Sequence, residues 1–196
     1  MDINERIARR VRDLRSERGY SLDTLAERSG VSRSSISLIE RAQTSPTANV
    51  LDKLATALDV TLASLFDDRA REDTLPSPLA RRADQPVWTD PDSGYVRRNL
   101  SPAQPSPLQL VEVRFPPGER VAYEAGTREN EVWQQIWVID GAIEITLNNI
   151  AWRLDSGDCL AMRLDQPIGF HNPTSATARY LVGLVTLPFV AARRTP

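Results

Sequence analysis

Over residues 1–66 apolar side chains recur every three or four positions, and beyond residue 85 they alternate, so the chain passes from helical to strand patterning. Ile3, Ile7, Val11 and Leu14 form one helical stripe, and Gly19 supplies a residue that can end that helix in a left-handed conformation. Ser21 is placed to cap a second helix with Leu22, Leu25 and Ala26 inward. Ser32 is placed to cap a third, with Ile36 and Ile39 inward. Thr47 caps a fourth carrying Val50, Leu51, Leu54, Ala55 and Leu58, and Thr61 a short fifth with Leu62, Leu65 and Phe66. The pattern predicts a compact five-helix domain over 1–66. Residues 67–85 are charged, carry two prolines and lack periodicity, which predicts a linker.

From 86 to 196 the segments are short, β-branched and separated by turn signals: Pro117-Gly118, Asp140-Gly141, Asn148-Asn149 and Asp155-Ser156-Gly157-Asp158. An antiparallel sandwich or barrel is expected. Alternation puts Gln134, Ile136 and Val138 on one face, with Ile143 and Ile145 on the next strand and Met162, Ile168 and Phe170 turned the same way. Those residues describe a ligand pocket and a filled core equally, and Met162 and Phe170 read more as core. Glu129 and Gln134 are better ligand candidates, since a polar group aimed into a barrel needs a partner. Trp133 and Trp137 fall on the opposite face of that strand, where they pack a second layer or, the reading preferred, a dimer seam.

The segment Leu22–Arg41 has the constraints of a helix-turn-helix. Ala26 allows two helices to cross closely, and Gly30 takes the turn position where positive φ carries no steric cost. Val31, Ile36 and Ile39 seat the third helix, leaving Arg33, Ser34, Ser37 and Arg41 outward. Arginine there can pair with guanine, and serine can donate or accept. With Leu25, Glu40, Ser45-Pro46-Thr47 and Leu65-Phe66, this segment resembles the phage-repressor-like XRE/Cro family, which implies a lambda-repressor-like domain that binds double-stranded DNA as a homodimer on an inverted repeat. By that resemblance the DNA-contacting residues are Ser32, Arg33, Ser34, Ser37, Arg41 and Gln43. Arg33, Ser34 and Ser37 would read bases, and Arg41 and Gln43 would touch phosphates. One departure is Leu22, where the family often has a phosphate-binding glutamine.

Residues 108–187 resemble a cupin barrel, of jelly-roll type, on Gly118, Gly141, Gly157, Pro167 and Asn172. The whole is then an α+β multidomain chain laid out like bacterial regulators with a cupin sensor. Metal-binding cupins use two early histidines, a carboxylate and a late histidine. Here the matching places hold Thr127-Arg128-Glu129-Asn130, Gln134 and Ile168, while the lone histidine, His171, is three residues beyond the last ligand position and turned to the other side of its strand. Neither a metal nor another cofactor is expected, and the chain is not expected to be an enzyme.

Charge modifies this picture only modestly. The chain of 196 residues carries net charge −2, but residues 1–66 hold ten basic against nine acidic side chains. Six of the basic ones, Arg6, Arg9, Arg10, Arg12, Arg15 and Arg18, crowd into the first helix, as a solvated face or a DNA contact. Apolar runs are far shorter than the ~18–20 residues of a membrane span. There is no signal-peptide core at the N-terminus, and a single cysteine, Cys159, forms no internal disulfide. A cytoplasmic transcription regulator with a small-molecule effector is therefore expected. An antitoxin-like protein-interaction module and a cupin enzyme with an accessory helix-turn-helix are the rival readings.

Overall fold

The structure is a computed structural model that describes residues 2–66, 77–104, 106–126 and 129–187. Four α-helices open the chain: α1 (Ile3–Glu17), α2 (Leu22–Ser29), α3 (Arg33–Glu40) and α4 (Ala48–Ala57). The fifth predicted helix is a 3-10 helix, Leu62–Phe66, rather than an α-helix. Its cap is the expected one, with Thr61 Oγ1 accepting from the Ser64 amide at 3.2 Å. Ser21, Ser32 and Thr47 likewise accept from the amides of Thr24, Ser35 and Val50. Asp2 and Glu5 add a reciprocal capping box on α1. Gly30 ends α2 at φ 67°, the left-handed turn that α3 needs to cross back over α2. Ile7, Leu25, Ile36, Leu51, Leu54, Leu58 and Leu65 are wholly buried and make the shared core of all five elements.

Ten strands follow among the described residues: β1 (Val87–Thr89), β2 (Val96–Asn99), β3 (Leu108–Phe115), β4 (Arg120–Tyr123), β5 (Glu131–Asp140), β6 (Ala142–Leu147), β7 (Ile150–Asp155), β8 (Cys159–Arg163), β9 (Ile168–His171) and β10 (Ala178–Leu187). They form a six-stranded sheet, β1-β2-β3-β10-β5-β8, facing a four-stranded sheet, β4-β9-β6-β7. From β3 onward this order is that of a jelly roll. The expected barrel is thus two facing sheets rather than a closed cylinder, because strands alternate between layers and the described strands leave both sheets with free edges. Asn148 and Asn149 turn β6 into β7 at φ 46° and 68°. Inward residues alternate along β5 and β10, from Val132 to Val138 and from Ala178 to Leu184, and all are buried. No helix among the described residues is long and apolar enough to cross a membrane.

The two domains touch directly. Asp90, 2% exposed, accepts through Oδ1 from the amide of Ala48, the first residue of α4, at 2.9 Å. Asn99 Nδ2 donates to the Ala63 carbonyl at 3.0 Å, and Asn49 Nδ2 to the Ala122 carbonyl at 3.1 Å. Asp59 accepts from the Glu129 amide at 2.9 Å and from Asn130 Nδ2 at 2.8 Å. Phe66 of the 3-10 helix meets the buried Trp88 at 5.6 Å between ring centroids. The join expected at 67–85 is therefore supplemented by a face-to-face interface. Residues 67–76, Thr127 and Arg128 lie outside the described residues.

Candidate functional site

On α3 the outward face is polar and short. Ser32, Arg33 and Ser34 are exposed, Ser37 is half-buried, and Arg41 and Gln43 are exposed just past the helix. Ser32 Oγ sits 2.7 Å from Ser35 Oγ and 3.0 Å from Ser34 Oγ, so the cap also fixes its neighbours' hydroxyls. Arg33 Nε lies 3.0 Å from Asp23 Oδ1, with both side chains about two-thirds exposed. Such a pair is worth only about 0–1 kcal/mol, so Arg33 is readily released to another acceptor. Arg41 Nε donates to the Ser37 carbonyl at 3.1 Å, which lays its guanidinium back along the helix. Leu38, 39% exposed, stands among these polar groups and suits a thymine methyl. Sequence reading overlooked it, although the inward spacing of Ile36 and Ile39 already implied that position 38 faces out.

The arginines of α1 mostly serve the domain itself. Arg15 forms a two-pronged pair with Glu40, Arg12 donates to the Glu40 carbonyl, and Arg10 donates through Nε to the Ser64 carbonyl at 3.3 Å.

A second feature is a cleft between the two sheets, capped by the helical domain. It opens to solvent at a mouth where Asp52 of α4 and Leu62 of the 3-10 helix form part of the rim. Gln134, Ile168 and Phe170 line it. Met162 is paired across from Gln134 and buried at 3%, but it lies outside the cleft wall. Glu129 sits instead in a separate groove between the domains, beside Asp59. Tyr95, Arg97, Tyr123 and Tyr180 add polar groups to the cleft, as does Gln166, and sequence reading did not single them out. Burial pushes all three tyrosine hydroxyls above their ordinary value, well above for Tyr123 and Tyr180, so they stay protonated donors. The Tyr95 and Tyr123 hydroxyls lie 3.1 Å apart.

Residues 11–65 match the helix-turn-helix family HTH_3. They form an XRE-type helix-turn-helix domain. Over 64 residues the chain is 44% identical to the HTH-type transcriptional regulator SinR of Bacillus subtilis, an alignment covering 32% of this chain and 58% of SinR. It is 26% identical over 170 residues to the HTH-type transcriptional regulator SutR of Escherichia coli, covering 87% and 89% of the two chains. The crystal structure of an HTH_3 family transcriptional regulator from Vibrio cholerae superposes with a TM-score of 0.73 at 24% identity, over 93% of this chain and 96% of that one. The helix-turn-helix and the jelly roll therefore occur together in the same overall fold elsewhere.

Two of the jelly-roll positions that match the cupin metal pattern lie among the described residues with their side chains inward. Gln134 and Ile168 stand inward where a carboxylate and a histidine would be needed. His171 alternates away from Ile168 and Phe170, with Nδ1 3.7 Å from Glu144 Oε1. Among the described residues no three His, Cys, Asp or Glu side chains converge. A neutral amide and an isoleucine do not fit a divalent ion.

Proposed function

We propose that this chain is a sequence-specific transcription regulator that binds an inverted-repeat operator as a homodimer and takes a small-molecule effector in its jelly roll. The observation that carries the reading is the outward face of α3. Arg33, Ser34, Ser37 and Leu38 project from a capped helix held by α2 and Gly30, at the spacing of a major-groove reader. Relatives named as transcriptional regulators support it. The half-sites would lie about 34–36 Å apart or a multiple of that. Arg41 and Gln43 would contact phosphates, and Ser32, engaged as the cap, would offer its backbone amide. Non-catalytic action in the cytoplasm is part of the proposal, supported by relatives named as transcriptional regulators and, for the first, by an amide and an isoleucine where metal ligands would stand.

The test is operator selection from random duplexes at a stated salt concentration, with wild type and Arg33→Ala in parallel. The expected result is an inverted repeat whose half-site preference relaxes in the variant, at a cost of about 1–3 kcal/mol at the base pair Arg33 reads. Failure of wild type to enrich any sequence would overturn the reading in favour of a protein-interaction module.

A further inference from the structure

The cleft between the sheets holds one buried positive charge with an unpartnered donor, beside neutral hydrogen-bonding groups. Arg97, on β2, is 8% exposed and lines the cleft. Its Nε has no hydrogen-bond partner, and among the described residues no carboxylate forms an ion pair with it. Its guanidinium lies about the Phe66 ring, 6.0 Å from the centroid, and both its charge and its hydrogen bond to the Tyr95 hydroxyl oppose the effect of burial on that group. Gln134, also 8% exposed, and Tyr180, 3% exposed, line the same cleft with their polar ends. Of the Tyr95 and Tyr123 hydroxyls, only one proton can lie between the two oxygens, so the other remains to be donated.

A guanidinium is always charged, and burying it without an anion is costly enough that proteins ordinarily pair it. The carboxylates at this cleft stand at its mouth rather than inside. Asp52 is half-exposed on α4, and Glu124 is paired to Lys53 at 3.5 Å. The remaining walls near the donors are apolar, with Phe115, Phe170 and Ile168 among them.

We infer that the cleft binds a small organic carboxylate. Its charge rests on Arg97 and the tyrosine hydroxyls, its second oxygen or a neighbouring polar atom reaches the Gln134 amide, and its apolar body lies against the aromatic wall. This names the chemistry of the effector and rests on the effector reading above. Neutral tyrosines suit it, because each O–H donates to an anion and none repels it. A cationic ligand would instead meet Arg97 at the floor of the cleft.

Isothermal titration of the full chain with three probes of similar size, the isosteric benzoate and benzamide and the cationic benzylamine, and with phenylacetate and butanoate, tests the inference. The expected result is that a carboxylate binds at least about tenfold tighter than its amide, as charge-assisted bonds require. Arg97→Gln should weaken it about tenfold or more, Arg97→Lys less, and Tyr180→Phe about threefold or more. The lysine and phenylalanine variants keep the result readable should the glutamine variant unfold. The inference is overturned if amide or amine binds as well as carboxylate, if Arg97→Gln leaves carboxylate affinity unchanged, or if no carboxylate binds up to about 10 mM. Operator affinity separates this from the effector reading. Benzylamine or benzamide binding that shifts operator affinity removes the anion but keeps an effector. A carboxylate that binds through Arg97 without shifting operator affinity keeps the site and removes its regulatory role.

Discussion

Arg15 and Glu40 lie inside the helical domain with Nε and Nη2 2.7 and 2.9 Å from the two carboxylate oxygens, while Glu112 of β3 meets Arg179 of β10 at 2.7 Å on the outer face of the larger sheet. The hydrogen bond from Arg179 is the main reason the Glu112 carboxyl is held below its ordinary value, against the opposing effect of burial. A lowered folded value means that the unfolded chain takes up the proton first. The stabilisation is then fully present above the unfolded value, near 4.5, and is lost as pH falls through the folded one. Glu112→Gln should destabilise the chain at pH 7, and its deficit against wild type should shrink as pH drops below that value. Urea unfolding at several pH values checks this, and a deficit independent of pH would reject it. The arginines also mark the limit of legibility at this scale. Gly30 and the serine caps act through their own backbone and the next turn, so local sequence revealed them. Local helical spacing likewise turned Arg33 outward, but that Arg97 lines a cleft depends on residues far along the chain, which no local pattern encodes.

Contact between elements decides how the two domains are joined. The segment after β4 passes so close to α4 that a Cβ on Gly126 would lie 2.3 Å from Thr56 Cγ2 and 3.2 Å from Thr56 Cβ. Something must shift if that glycine gains a side chain, and the strained neighbour belongs to the other domain. Gly126→Val should loosen the seam, raising amide exchange in α4 and around Asn130 while the inner strands stay protected. Combining it with Thr56→Ala, which removes the clashing methyl, should restore part of the protection. Unchanged exchange in the single variant would show that the approach is not a constraint. Strand and helix types were readable from periodicity here, as was the inward placing of Gln134, Ile168 and Phe170. What periodicity could not give was the seam, because the bonds from Ala48 of α4 to Asp90 and from Asn99 of β2 to Ala63 of the 3-10 helix join distant segments. The same limit left Tyr95, Arg97, Tyr123 and Tyr180 unrecognised, since their shared cleft exists only once two sheets face each other. The fifth helix became a 3-10 turn because five residues between Thr61 and the join admit little more than one turn.

At the scale of the whole molecule, reading an inverted repeat requires two copies related by a two-fold axis, and the outer face of the larger sheet offers a surface for that pairing. Its strands present Leu108 and Leu110 from β3, Leu181 and Gly183 from β10, and Trp133 and Trp137 from β5 in registered rows. Trp133 and Trp137 are 44% and 49% exposed, and Leu108 and Leu110 43% and 38%. Among the described residues no second layer covers the tryptophans, and we propose a dimer seam as the use of this face. Gly183, between Leu110 and Gln135, leaves a shallow flat centre over which an identical sheet can lie closely. Trp137→Lys would set like charges against one another across such a two-fold contact and remove an aromatic anchor, a change of about 2 kcal/mol or more per copy where the residue is central. Sedimentation of wild type over a dilution series should give a dimer at micromolar concentration, with the variant shifted to monomer. Operator binding by the variant should fall much more than its binding to a single half-site, because α3 is untouched and only the linkage of two readers is lost. A wild-type monomer throughout the series, or equal losses on both DNAs, would locate the two-fold elsewhere.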